Sequence, residues 1–517
     1  MSIARSLRWP WGPTAVVVGA LVCACGDEEP VVVVHLQARP AVTGVVELAV
    51  ELANASSTQT QTFAVAGRDF PLSFSVQTPG RTGDLTVDVV AKDGGGLARG
   101  VGRAVIPIGT GRVDADLLLE PNDFVVNTTY VGSQDLAFRL DGGGRQLAVS
   151  DDGVFTIGWS DTCQMVGRCD VFGRRFDATG TAVATAIAAG GGQFNWNQSD
   201  GETGYEPSLV TDRLGHTLAV WTTIGTTFAV VIDQAGNYVT PIETIITSMT
   251  SPGTPAVTVL PDGRYVVAWT DTAPTAGQTV VKARYLSAAG QPAPNPITNT
   301  TDPFVVSTTV RTTDEAPAVV ALGNGAALAF AWRSDSRIYG RLYGSTGQAV
   351  GPDVVAADHP GDEVGPPQLA TLGGDVVMLY RHQTLPGGAA EHGELMLRRY
   401  TATGAGVGAA VTVTSDSELG PPALAIRATD VAVAWSGCNE DSDGAGCGIR
   451  VRRYDGDLAP VGASQIVNST TAGDQEDPSL GWLPDRSLAV TWSDGSATDP
   501  DRDMSAVRAR IFYPAAP

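Results

Sequence analysis

The chain has 517 residues, with 33 lysines and arginines against 55 aspartates and glutamates, a formal charge of −22. Such length leaves room for two or three domains and a large core, and the acidic excess repels phosphate backbones, which excludes nucleic acid as a partner. With 61 glycines, 32 prolines and no long helical periodicity, the composition reads as a turn-rich all-β protein.

At the amino terminus, Arg5 and Arg8 precede an apolar run from Ala15 to Val22. That run is too short for a permanent membrane helix and reads as a targeting segment. It closes on Leu21-Val22-Cys23-Ala24-Cys25-Gly26-Asp27-Glu28, small residues before a cysteine and then acids. The stretch resembles a bacterial lipoprotein signal. The resemblance implies that residues 1–24 are removed, that Cys25 is lipidated, and that residues 25–30 form a tether. It also implies export and anchoring to the cell envelope, at the outer membrane, through acyl chains. An ordinary secreted protein cut nearby is the alternative.

Residues 31–121 alternate apolar and polar side chains in short runs, such as Val31 to Leu36, Val45 to Leu52 and Leu85 to Val90. Turn residues separate the runs, among them Gly94-Gly95-Gly96. The pattern predicts a small β-sandwich. At the level of fold it resembles immunoglobulin-like or transthyretin-like accessory domains.

From residue 122 to 517 one phrase recurs seven times. Its aromatics are Trp159, Trp221, Trp269, Trp332, Tyr380, Trp435 and Trp492, spaced by about 55 residues, a blade-sized period. Prolines precede them at Pro207, Pro255, Pro317, Pro367, Pro422 and Pro478, and Arg145 stands where the first would fall. Each unit predicts four strands. The first follows the proline and the second is the apolar run to the aromatic. The third ends in a basic-aromatic pair, as in Arg175-Phe176, Arg284-Tyr285, Arg399-Tyr400 and Arg453-Tyr454. The fourth follows a glycine turn. Antiparallel four-stranded units in tandem bury both faces when stacked radially, so a seven-bladed β-propeller is expected. The last repeat lacks a fourth strand, while residues 123–127 match the end of the sixth repeat's fourth strand. They are expected to supply it and to close the ring. Asn127-Thr128-Thr129 and Asn468-Ser469-Thr470 are formal glycosylation sequons and read as turns of the repeat.

The phrase from Ile466 to Leu480, with the run Leu488 to Ser496 and Gly448 to Asp455, is similar to tandem repeats of large bacterial surface and adhesin-like proteins. That similarity implies exposure and adhesion, and it brings no catalytic residues. Cys163, Cys169, Cys438 and Cys447 form two close pairs and read as loop staples in an exported chain. A zinc site is the rival and would need repeats one and six to converge. Asp441, Asp443, Asp499, Asp501 and Asp503 alternate in acidic loops and are candidates for calcium, against a reading as solvated loop tips. His382 and His392 share the long fifth loop with Glu391 and Glu394, a place where a metal could sit.

No catalytic motif emerges. Propeller glycosidases of the sialidase type carry S-x-D-x-G-x-x-W boxes, and Ser150-Asp151-Asp152-Gly153 has the wrong spacing. The sequence therefore reads as a non-enzyme without a cofactor, binding an unidentified envelope protein or glycan through the loops after the second strands. A polysaccharide hydrolase and a structural envelope component are the alternatives.

Overall fold

A computed structural model gives the fold. It describes residues 30–515 except 56, 79–82, 110, 131, 137–144, 162–169, 198–203, 224, 248–252, 276, 309–310, 312, 324–326, 385–391, 417–418, 440–442, 445 and 499, together with the two-residue strands Leu7–Arg8 and Val17–Val18. Among these residues the regular structure is strand, apart from one 3-10 turn at Ala189–Gly191. It divides into two compact units, the second beginning at Phe124.

The first unit is one path of seven strands. Their spatial order is Ser57–Ala64, Glu47–Asn54, Asp84–Lys92, Ala98–Pro107, Arg112–Pro121, Val31–Ala38 and Leu72–Gln77. Side chains alternate across each strand, so Val32, Val34 and Leu36 from one end of the path share a core with Leu48, Val50 and Leu52 from the other. The sheet therefore closes over itself. Pairing is continuous at the bend, through Gly100↔Pro121 and Val101↔Glu120, instead of breaking into the two separate sheets expected. Gly102 permits the close approach there, because a Cβ would sit 2.4 Å from Leu117 Cδ2.

The second unit is a ring of seven antiparallel sheets. Blade one contains Gln134–Asp135, Leu147–Val149, Phe155–Asp161, Val171–Phe176 and Phe194–Asn195. Blade two is Tyr205–Thr211, Thr217–Thr222, Thr226–Ile232 and Glu243–Thr247; blade three is Ala256–Val259, Tyr265–Thr272, Thr279–Leu286 and Phe304–Val305. Blade four is Glu315–Leu322, Ala327–Ser334, Arg337–Tyr343 and Ala349–Asp358. Blade five is Glu363–Val364, Gln368–Leu372, Asp375–Thr384, His392–Tyr400 and Gly406–Asp416. Blade six is Ala423–Arg427, Asp430–Gly437, Gly448–Tyr454 and Pro460–Ile466, and blade seven holds Gln475–Trp482, Leu488–Asp494 and Ala506–Phe512. Phe124–Val125 adds the outer strand of blade seven, in register Phe124↔Ala509 and Val125↔Arg508. The inner strands touch in a closed cycle from blade one to blade seven and back. They surround a central channel.

The repeated residues explain the ring. All seven recurring aromatics are buried, and those of blades two to seven pack against the preceding blade. Trp332 packs with Val266, Ala268 and Val281 of blade three, and Trp435 packs with Leu379 and Leu397 of blade five. The prolines mark bulges in the inner strands, at Tyr205/Ser208, Glu315/Ala318 and Glu476/Ser479. A bulge is where a residue without an N–H costs the ladder nothing. Consecutive side chains of a strand face opposite blades, so a basic pair can rivet both neighbours. Arg174 Nη1 donates to Val126 O of the closing strand at 2.7 Å, while Arg175 Nη1 donates forward to Gln234 O of blade two at 2.8 Å. Arg398 donates back to Ala356 O at 3.3 Å and Arg399 forward to Gly456 O at 2.7 Å. Arg284, Arg341, Arg452 and Arg510 likewise donate to the carbonyls of Ile245, Val306, Val413 and Val467 in the blade before. Blade two has Val230 in that column. After the third strand, Gly180, Gly236, Gly290, Gly347 and Gly404 all adopt a φ between 77° and 85°, the left-handed position of a tight hairpin.

Candidate functional site

The connections after the second strands and before the inner strands emerge on one face of the ring. In three blades the aromatic there begins the phrase Trp-x-Asp: Trp159-Ser160-Asp161, Trp269-Thr270-Asp271 and Trp492-Ser493-Asp494. In two of them the third strand supplies a cation opposite the tryptophan. Lys282 pairs with Asp271 at 2.9 Å, and Arg508 pairs with Asp494 at 2.5 Å in a buried ion pair. In blade one that position is Phe172, whose ring stacks on Trp159 at 6.0 Å.

Asp161 therefore lacks, among the described residues, the third-strand cation that its counterparts keep. Its amide donates to Asp170 O at 2.9 Å, and Asp135 lies on the adjoining inner strand, which pairs Gln134 with Asp161. Burial, then the charge of Asp170 and more weakly that of Asp135, push the Asp161 carboxyl up to about 6, against a hydrogen bond with Gln134. Burial also raises Asp135, which accepts from Ser505 Oγ at 2.7 Å. Asp170 accepts from Asn197 Nδ2 at 3.2 Å. All three carboxylates are partly exposed. A carboxyl whose pKa is raised toward neutrality beside a second carboxyl is the arrangement that can separate acid from base.

Arg145 lies in the channel, which is also lined by Ala256, Val257, Ala318, Val319, Gln368 and Leu369. It crosses the ring to donate to the Leu369 carbonyl of blade five. Burial pushes its pKa down, and no carboxylate is paired with it among the described residues. Across the mouth from blade one, Arg333 donates to Glu315 at 2.8 Å and Arg381 donates to Leu419 O at 2.5 Å. Burial lowers Arg381, and Arg333 adds to that against Glu363.

Other expected residues fall elsewhere. Cys438 and Cys447 form a disulfide with an S–S distance of 2.03 Å. Cys25, Cys163, Cys169, Asp441 and Asp499 lie outside the described residues. The remaining calcium candidates engage N–H donors. Asp443 accepts from Asn468 Nδ2 at 2.6 Å, and Asp501 accepts from Asn127 Nδ2 at 2.7 Å. Asp503 accepts from Gly132 N at 3.1 Å. The two asparagines are equivalent. Each also donates to a glutamine seven residues on, Gln134 or Gln475, and accepts from the first part of a third strand, at Val507 N or Ile449 N. Both sequon asparagines are buried, which closes them to glycosylation.

No protein-family model matches the chain, and no curated protein matches it. Among solved structures, the NanB sialidase of Streptococcus pneumoniae is similar over 91% of this chain and 88% of its own, at 10% identity and a TM-score of 0.39. The α-L-arabinofuranosidase Arb93A of Fusarium graminearum matches 59% of this chain and 91% of its own, at 11% identity and a TM-score of 0.38. A Penicillium chrysogenum α-L-arabinanase matches 58% and 85%, at 17% identity and a TM-score of 0.33. At these identities the likeness extends to the fold alone. The three neighbours are glycosidases by name, where the sequence reads as a non-enzyme. Sequence reasoning missed Asp135, Asp161 and Asp170. The signal was available in the third-strand column, where Lys282 and Arg508 give way to Phe172.

Proposed function

We propose that the protein is a propeller-type glycoside hydrolase that acts on an envelope or extracellular polysaccharide at its loop face. The observation that carries this reading is Asp161, which lacks the third-strand cation its counterparts keep and is pressed by Asp135 and Asp170. Asp161 donates its proton to the glycosidic oxygen as the bond to the leaving sugar breaks. Asp170, held by Asn197, is the second carboxyl group, which stabilises the oxocarbenium-like centre or draws the proton from an attacking water. Loops of unequal length on a rigid ring set which glycan reaches the pair. Export and a lipid anchor at Cys25 are part of the same proposal, supported by the sequence of residues 1–28, and would place the enzyme beside its polymer.

The test is release of reducing sugar from a panel of polysaccharides, including arabinans and sialylated glycans. Wild-type protein should turn over at least one, and Asp161→Asn should lower the rate about 10²–10⁴-fold, as removal of a general acid does. A wild type inert on the whole panel, or a fully active Asp161→Asn, overturns the proposal.

A further inference from the structure

Blade five carries a second cluster, remote in sequence from the blade-one carboxylates. His359 and Asp362 occupy the turn that enters the blade, where Asp362 N donates to His359 O at 3.0 Å. His382 sits on the second strand, opposite Val364. One donor atom from each of the three side chains lies within 4.8 Å of the other two. The imidazoles of His359 and His382 stack with centroids 3.9 Å apart, and His382 Nε2 is 2.7 Å from Asp362 Oδ2.

The outward-facing atoms complete the pattern. His359 Nε2 is 3.2 Å from the Tyr380 hydroxyl, which leaves Nδ1 for a ligand. His382 is only 8% exposed, and its Nδ1 is buried without a hydrogen-bond partner. Glu394 Oε2 on the third strand lies 3.6 Å from that atom. A ligating histidine characteristically turns its second nitrogen to a carboxylate, which fixes the tautomer and strengthens the donor.

We infer that His359, His382 and Asp362 form a binding site for a divalent zinc-class metal ion, with Glu394 and Tyr380 as the supports that orient the two imidazoles. Two imidazoles and one carboxylate suit zinc, cobalt or nickel and not calcium, which takes oxygen ligands. Three protein donors leave a fourth tetrahedral position for water or another ligand. The His382–Asp362 hydrogen bond spans the place the ion would take. Binding replaces that bond with two metal bonds and lets His382 Nδ1 donate to Glu394.

The experiment is zinc titration by calorimetry on the full chain after chelator treatment and without reductant, so that Cys438–Cys447 stays oxidised. One equivalent should bind to the wild type, and cobalt in its place should give a tetrahedral visible spectrum. His359→Ala and His382→Ala should each abolish the stoichiometric site with the strand circular dichroism unchanged. Glu394→Gln should weaken binding about 10–100-fold, the cost of losing such a support, and Asp161→Asn should leave it intact. Failure of the folded wild type to bind one equivalent overturns the inference. So does binding that survives His359→Ala and His382→Ala. Should a variant unfold, wild-type binding read through the cobalt spectrum decides alone.

Discussion

Asp161 shows how one substitution in a repeat creates a chemical group. Its carboxyl titrates at about 6 in the fold because burial and Asp170 disfavour its charge. A general acid works only while protonated, so kcat/KM should fall as pH rises above about 6, and Asp161→Asn should remove that limb from the pH–rate profile. The same shift has a stability sign. A carboxyl whose pKa is raised by folding favours the native state while it is protonated. That contribution is complete at pH values below the unfolded pKa and is lost as pH rises through about 6. Asp161→Asn should therefore raise the melting temperature relative to wild type above pH 6 and lose the advantage in acid, which paired thermal scans will show. Arg145 is the second such residue. Its bulge-forming proline is replaced by a guanidinium that spans the channel, and a buried cation is costly to keep dry. Arg145→Met should melt no lower than wild type; a large loss would mean that the bond to Leu369 holds the ring.

At the scale of the element, neighbouring blades are joined by buried aromatics, by arginines and, twice, by a buried asparagine. Burying a tryptophan between sheets removes a large apolar surface from water, and its truncation costs about 3–5 kcal/mol. Trp435→Ala should show that loss by denaturant titration. Arg341 is shielded from solvent and binds the Val306 carbonyl at 2.7 Å. Arg341→Met keeps its apolar stem and should cost about 1.5–3 kcal/mol, the worth of a charge-assisted bond. Asn468→Ala strips the amide from four groups, including Asp443, and should destabilise by at least as much. These elements were readable from spacing: the tryptophans, the glycine turns and the arginine column all announce themselves by repetition. The direction of each rivet was not, because it depends on which face of the strand meets which neighbour. The basic-aromatic pairs show this. Arg174 and Arg398, one residue earlier than the pairs that stood out, reach back to the preceding blade, while Arg175 and Arg399 reach forward.

For the whole molecule, the decisive feature is closure. Phe124–Val125 joins strands at the far end of the same unit, and Asn127 adds a bond to Val507 N at 3.0 Å. Deleting residues 122–127 leaves Ala506–Phe512 as an open edge and removes the acceptor of Arg174. It should lower the melting temperature sharply; an unchanged value would show that the ring holds without it. The sequence by itself determined the period, the seven blades and the strand that completes the last, because radial stacking of identical units demands identical buried residues at identical spacing. It also marked the close cysteine pair at Cys438 and Cys447, since nine residues of chain keep the two within reach. It did not single out the carboxylates of blade one, and it did not join His359 and Asp362 to the His382 and Glu394 it had grouped as a place for a metal. Their chemistry arises from what the neighbouring strand places opposite them: Phe172 where a cation stands elsewhere, and Glu394 behind His382. A repeat fixes its common residues through the packing all blades share, whereas function sits where one blade departs from that pattern, and only tertiary structure decides what the departing residue meets.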